Sequence, residues 1–230
     1  KGNIIHLGER ECSIQRRHQK LLEEAPFIFA DSKFRKKIGE LAIKAAKAFK
    51  YRNAGTIEFI LANDGQIYFM EINTRIQVEH PVTEMITGVD IIKEQIKLAA
   101  GEPLSLRQQN IKFSGHSIEC RINAEDPERF IPSPGKISLF VPPGGGGVRT
   151  DTSAYSGWTV PAHYDSLIAK LIVHGKDRNE AIVKMRRALN EFIVDGIKTT
   201  IPFFLKILDD PDFIKGNINT QFLERKNKKT

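Results

Sequence analysis

Two glutamates, Glu58 and Glu71, sit in strand-like runs, Ala54–Leu61 and Gln66–Ile72, joined by Ala62-Asn63-Asp64-Gly65. Asp-Gly between two such runs is a strong hairpin signal. With Asp64 and Gly65 as the two central turn residues, Asn63 pairs with Gln66, and Glu58 then falls directly opposite Glu71. Directly opposed side chains share a face with Cβ atoms roughly 4.5–5.5 Å apart. Two carboxylates that close repel, so one takes a proton or a cation sits between them. Thr56, Ile60, Ile67 and Phe69 are expected on the same face, and Asn73 follows Glu71 at i+2. Two carboxylates and an amide oxygen with positions left open suit Mg²⁺ holding nucleotide phosphates. Two surface glutamates in a slipped register are the alternative, and the hairpin alone does not decide between them.

Arg75-Ile76-Gln77-Val78-Glu79-His80-Pro81 follows at once and reads as a loop leaving the sheet end. Arg75 can fork onto a carboxylate-like or phosphate-like anion. Glu79 is a candidate general base. Alone, such a loop is a solvated turn; beside a metal pair it reads as a second substrate's site. Further on, His116–Asn123 alternates, with Ser117, Glu119, Arg121 and Asn123 on one face. That is the pattern of a half-buried strand. Its Arg121 either meets an oxyanion or forms a surface ion pair with Glu119 or Glu125.

The elements that must carry these residues are α and β in two parts, an α+β chain. Residues 31–49 form the clearest helix, with Phe34, Ile38, Leu41, Ala42, Ala45, Ala46 and Phe49 at helical spacing and Asp31 and Ser32 as N-cap candidates. Residues 89–100 read as a second helix closed by Gly101. The polar stretch Glu102–Asn110 is the expected boundary, giving parts 1–105 and 106–230. Residues 132–161 are rich in Pro and Gly and should hold loops and short strands, and Leu167–Val173 should be a strand. Arg178–Ile193 is an amphipathic helix with an Asp177/Glu180 capping box, and Thr199-Thr200-Ile201-Pro202 starts a last helix. Gly144–Gly147 lacks a following Gly-Lys-Ser/Thr, so a flexible hairpin is read there rather than a phosphate loop.

Composition bounds the partners. The 230 residues are 40% hydrophobic and 27% charged, ordinary globular usage, and no apolar run is long enough to span a membrane. The net charge of +7 and the basic tail Arg225–Lys229 favour anions, but aromatics are not interleaved with basic residues as nucleic-acid binding would want. Cys12 and Cys120 are far apart and without metal spacing, which suits a reducing compartment. No charged-then-apolar leader is read. The turn Lys1-Gly2-Asn3 and the strand-like Ile4–Leu7 are expected to be half of a hairpin with its partner upstream, so a fragment or trimmed domain is expected.

The run Glu71–Glu84 resembles the signature of biotin-dependent carboxylases. So do Gly8-Glu9-Arg10-Glu11-Cys12-Ser13-Ile14-Gln15-Arg16-Arg17-His18-Gln19-Lys20, His116–Pro127 and Asp195–Thr199. The blocks stand in family order across nearly the whole chain, and the pattern is most similar to the separate biotin carboxylase subunit of bacterial or plastid acetyl-CoA carboxylase. Propionyl-CoA, methylcrotonyl-CoA and pyruvate carboxylases share the same blocks.

The resemblance implies the second half of an ATP-grasp domain followed by a biotin carboxylase C-terminal domain. It implies that ATP phosphorylates bicarbonate to carboxyphosphate, and that the carboxyl group then passes to the ureido nitrogen of biotin on a carrier protein. Glu58, Glu71 and Asn73 would be ligands of Mg²⁺ or Mn²⁺, with His18, Ile60 and both glutamates at the nucleotide. Lys20, Arg75, Gln77 and Val78 would hold bicarbonate, Glu79 would deprotonate it, and Arg121 would stabilise the biotin enolate. Implied partners are the biotin carboxyl carrier protein, carboxyltransferase subunits and a second copy in a homodimer, with neither nucleic acid nor membrane, in cytoplasm or plastid stroma. The family's Gly-rich lid and ATP-binding lysines are not among these residues, so the chain alone is expected not to turn over ATP. Thr220 stands where the family has a larger aliphatic residue against the base. Other classes that share parts of the pattern are another ATP-grasp ligase, such as a carbamoyl-phosphate synthetase half, and a non-catalytic docking or dimerisation domain.

Overall fold

A computed structural model describes residues 2–227; Lys1 of the opening turn and Lys228 and Lys229 of the basic tail lie outside the described residues. Two strands come first, β1 (Glu11–Arg16) and β2 (Gln19–Ala25), then α1 (Ser32–Ala48). The hairpin β3 (Thr56–Leu61) and β4 (Ile67–Asn73) follows, with α2 (His80–Thr87) and α3 (Ile91–Ala99). Next are β5 (His116–Asn123), β6 (Gly135–Lys136), β7 (Leu139–Val141), β8 (Val148–Thr152), β9 (Thr159–Val160) and β10 (Leu167–Gly175). The chain closes with α4 (Arg178–Glu191), β11 (Ile193–Asp195), α5 (Ile201–Leu208), α6 (Pro211–Lys215) and α7 (Phe222–Asn227). Among the described residues no helix is long and apolar enough to cross a membrane.

The chain divides into two compact units that are not consecutive. One comprises Lys1–Arg10 and Ala25–Ser114; the other comprises Glu11–Glu24 and Gly115–Thr230. The β1–β2 hairpin, which sequence order places with the first part, thus belongs to the second unit.

In the first unit Asp31 caps α1 by accepting from Phe34 N at 2.7 Å, and Asp90 caps α3 by accepting from Lys93 N. The apolar face of α1 is only half-buried, and Phe49 is 59% exposed. A two-stranded ribbon offers little surface against which to bury a long helix. The apolar residues buried in this unit include Val82, Ile86 and Ile91. Ile4–Leu7 form no strand. His6 N instead donates to Gln108 Oε1 at 2.8 Å, and Gln108 Nε2 donates to His6 O at 3.0 Å, so one side-chain amide satisfies the groups a neighbouring strand would have taken. Helix α2, not read from the sequence, has Pro81 in its first turn and Gly88 (φ 69°) as its left-handed stop.

The second unit is built on a five-stranded sheet ordered β1-β2-β5-β10-β8. Its core gathers Ile118, Cys120 and Ile122 of β5, Leu171 and Val173 of β10, and Ala181, Met185 and Leu189 of α4. Asp177 caps α4 by accepting from Glu180 N, and the Glu180 carboxylate reaches back one residue beyond the expected capping-box donor, accepting from Lys176 N rather than from the cap residue. Strand β5 departs from the expected half-burial. It lies in the sheet interior, and its polar face is covered too, with Ser117, Glu119 and Asn123 all buried. Gly144–Gly147 is not a hairpin turn either, because β7 pairs with β11 while β8 pairs with β10. Helix α5 is also not the last, since α6 and α7 follow it.

Candidate active site

The β3–β4 register places Glu58 opposite Glu71, as the sequence predicts, but by a different route. The loop has three residues: Ala62 N donates to Gln66 O, Gly65 N to Ala62 O, and Gly65 takes the left-handed conformation at φ 79°. Leu61 therefore pairs with Ile67, one residue out of the expected register. A bulge between the Glu58 and Phe59 pairs, with Met70 as the extra residue, restores the register for Glu58↔Glu71 and Thr56↔Asn73. The bulge also reverses the facing of the outer half of β4. Phe69 and Ile67, expected beside the glutamates, pair with Phe59 and Leu61 on the opposite face, where Phe69 meets the rings of Phe59 and Phe49. Ile60 and Tyr68 occupy the glutamate face instead.

The two carboxylates share one donor. Asn73 Nδ2 donates to Glu58 Oε1 at 3.1 Å and to Glu71 Oε1 at 2.7 Å, and Gln77 Nε2 donates to the same Glu58 oxygen at 2.6 Å. The amide nitrogen thus stands where a positive centre between the carboxylates would be most stabilised. Rotating the Asn73 amide turns Oδ1 toward that point, giving a hard, all-oxygen donor set that fits Mg²⁺ or Mn²⁺. Among the described residues there is no group of three His, Cys, Asp or Glu that could hold a metal ion, so the pair Glu58 and Glu71 has no third carboxylate, imidazole or thiolate beside it.

The following segment holds Gln77 and Glu79 inside the first unit, at 5% and 2% exposure. Glu79 is the residue preceding α2 and makes no side-chain capping bond there. His80 Nδ1 lies 2.9 Å from Gln77 O, which ties the turn to the helix start. His80 and Pro81, expected in the loop, are the first residues of α2. Arg75 is exposed and donates to its neighbour's carbonyl, Ile76 O, while Val78 is half-buried.

The remaining predicted residues lie in the second unit. Arg17 and His18 form the β1–β2 turn, both at positive φ (48° and 64°), the conformation a tight hairpin turn demands. Two bulky residues there are strained, and His18 is thrust outward and exposed. Lys20 stands opposite Gln15 on β2. Arg121 reaches a carboxylate on the neighbouring strand. Its Nε donates at 2.8 Å to Glu23 Oε1, a fully buried carboxylate on β2, while Glu125 takes Arg16. Across the sheet Arg121 opposes Lys170, whose ammonium lies 3.4 Å from Asp151. Two cations directly opposed would repel, and each is balanced by a carboxylate on its far side.

Neither Glu23 nor Arg10, whose contacts with Gln77 are described below, was read from the sequence. Their partners lie far away in sequence, and no local spacing signals them.

Comparison with known proteins gives two consecutive matches. Residues 1–107 match the family described as carbamoyl-phosphate synthase L chain, ATP binding domain, and residues 119–225 match the biotin carboxylase C-terminal domain. Biotin carboxylase 1 of Bacillus subtilis is 60% identical over 97% of this chain and 50% of its own length. The chain superposes with a TM-score of 0.95 on a biotin carboxylase–β-γ-ATP complex from Campylobacter jejuni, 54% identical, covering 97% of this chain and 50% of that one. It superposes equally well, at 53% identity and the same coverage, on the biotin carboxylase domain dimer of Hydrogenobacter thermophilus 2-oxoglutarate carboxylase, solved with MgADP, ADP and bicarbonate. The chain spans about half the length of the curated relatives it matches.

Proposed function

This chain belongs to the biotin carboxylase family, and we propose that it supplies the metal and bicarbonate side of an ATP-dependent carboxylation of carrier-bound biotin. The observation that carries the proposal is the opposed Glu58–Glu71 pair joined through Asn73, with Gln77 buried against Glu58 and Glu79 buried in the same segment. A divalent cation held by Glu58, Glu71 and Asn73 supplies neutralisation of nucleotide phosphate charge. Bicarbonate is held by Gln77, Arg75 and the Val78 backbone. Its oxygen attacks the γ-phosphorus, the bond to the ADP oxygen breaks, and the one proton of bicarbonate passes to Glu79, leaving carboxyphosphate and ADP. Phosphoryl transfer depends mainly on positioning and charge, which these groups provide. Arg121, aligned by Glu23, faces the negative charge that gathers on the ureido oxygen of biotin as its nitrogen takes the carboxyl group. Ile60, on the face of the two glutamates, contacts the nucleotide.

The partners proposed are a biotin carboxyl carrier protein, carboxyltransferase subunits and a second copy of the protein, in cytoplasm or plastid stroma. The bicarbonate, MgADP and dimer named for the Hydrogenobacter domain support the reading.

The test is a chimera that joins the N-terminal half of the Bacillus subtilis relative to this chain. ADP release should depend on both bicarbonate and biotin. Glu79→Gln should lower kcat by about 10²–10⁴ while leaving the KM for ATP within twofold. Bicarbonate-independent turnover, or a fully active Glu79→Gln protein, would refute the reading.

A further inference from the structure

Arg10 precedes β1 and belongs to the first unit. Its guanidinium is spread over three partners: NH1 donates to Thr83 Oγ1 at 3.1 Å, and NH2 donates to Thr56 Oγ1 at 3.0 Å and to Gln77 Oε1 at 2.7 Å. Thr56 opens β3 and pairs with Asn73; Thr83 is buried in α2. The arginine thus ties the open end of the glutamate hairpin to the helix that follows Glu79. A planar fork with five fixed donors can hold all three acceptors at once, and a lysine cannot.

The bond to Gln77 has a chemical consequence. A primary amide has one acceptor end and one donor end, and rotating it exchanges them. With Oε1 held by Arg10, the NH₂ end must face Glu58, where it lies 2.6 Å from Oε1. One N–H is used there, and the second N–H of the same nitrogen stays available to an anion. An anion needs a donor; the reversed amide would offer it an oxygen. We propose that Arg10 is a positioning residue that locks Gln77 as a donor toward Glu58 and bicarbonate. The proposal rests on the bicarbonate reading above for its ligand, but not for the anchoring itself.

The two levels can be tested separately on the whole chain. The first experiment follows the Gln77 side-chain amide by ¹H–¹⁵N NMR, without ligand. In the wild type its protons should be protected from exchange, and Arg10→Met should lower that protection by about tenfold or more, as expected for loss of a charge-assisted hydrogen bond. The second measures binding of ¹³C-labelled bicarbonate to wild type, Arg10→Met, Gln77→Met and the double variant. Arg10→Met should weaken binding by about tenfold, and that loss should vanish in the Gln77→Met background, because the arginine acts through the amide. Arg10→Lys, which keeps the charge, should restore part of the affinity and serves where Arg10→Met unfolds. Unchanged Gln77 protection in Arg10→Met overturns the proposal. So does a bicarbonate loss that persists undiminished in the double variant. A wild-type chain that protects Gln77 but binds no bicarbonate refutes the functional reading while leaving the anchoring in place.

Discussion

The sheet that carries Arg121 is held by a buried ion network, and removing one member should be costly. Glu24 on β2 is 1% exposed. Arg178 forks onto it, Nε to Oε2 at 2.7 Å and NH2 to Oε1 at 2.9 Å, and His116 Nε2 lies 2.8 Å from Oε2. The same guanidinium donates to the carbonyls of Phe213 and Ile214 and stacks over the Phe213 ring. Arg178→Met leaves Glu24 buried with its fork gone. Breaking such a pair costs about 3–5 kcal/mol, and the two lost bonds to carbonyls add ~1 kcal/mol each, so a loss of roughly 5 kcal/mol or more is expected. For a chain of this length that lowers Tm by roughly 10 °C. Urea unfolding followed by circular dichroism, with the fluorescence of Trp158 reporting on the second unit, measures it. Glu24→Leu combined with Arg178→Met should recover most of the loss, because no charge is then left buried. The pH dependence follows from the same geometry. Burial alone would push the Glu24 carboxyl up, but the hydrogen bonds from His116 and Arg178 outweigh it and hold it below the usual carboxylate value of 4.5. A depressed folded-state value means that this stabilisation is present above about pH 4.5 and is lost as pH falls below it. The double variant should lose that acid-side slope. An Arg178→Met protein within ~1 kcal/mol of wild type, or a double variant as damaged as the single, would refute the argument.

Other outcomes follow from single contacts. Glu71→Gln should weaken Mn²⁺ binding by about tenfold or more, read by electron paramagnetic resonance of free Mn²⁺, because one of the two opposed carboxylates is removed. Cys120 is fully buried, and burial followed by the nearby Glu23, Glu119 and Glu24 charges pushes its thiol well above the ordinary range, so a thiol reagent at pH 8 should titrate only Cys12 in the folded protein and neither thiol in Cys12→Ser. Thr200→Val should cost about 2 kcal/mol in urea unfolding, since Thr200 Oγ1 accepts from Asn123 N and donates to Arg121 O in a buried setting.

How much of this could be read in advance depended on sequence distance. Helix α1, helix α4 with its Asp177 cap, and the β3–β4 hairpin are stated by residues within a few positions of one another, and they form where expected. The Glu58–Glu71 opposition was legible for the same reason, although the three-residue loop and the Met70 bulge were not. Each shifts the register by one residue and the two cancel at the glutamates, while between them Ile67 and Phe69 are turned to the other face. The tight β1–β2 turn was illegible because Arg17-His18 carries none of the Gly or Asn that positive φ normally selects.

The unexpected burial of β5 on both faces has one physical origin. Alternation along a strand reports two chemically different faces, and it was taken to mean that one face meets water. In β5 the polar face is instead met by residues remote in sequence: Glu23 for Arg121, and the Val173 carbonyl for the Ser117 hydroxyl. A charged side chain can be buried once it has a partner, and that of Arg121 comes from β2, which no local pattern links to β5. The same holds for Arg10, whose three acceptors are spread over β3, the Gln77 segment and α2. The groups offered to substrate are therefore legible as motifs, whereas the groups that fix their orientation are set by tertiary pairing. Tests of mechanism on this chain should accordingly include Glu23 and Arg10, since changing either alters how Arg121 or Gln77 is presented without removing the reacting group itself.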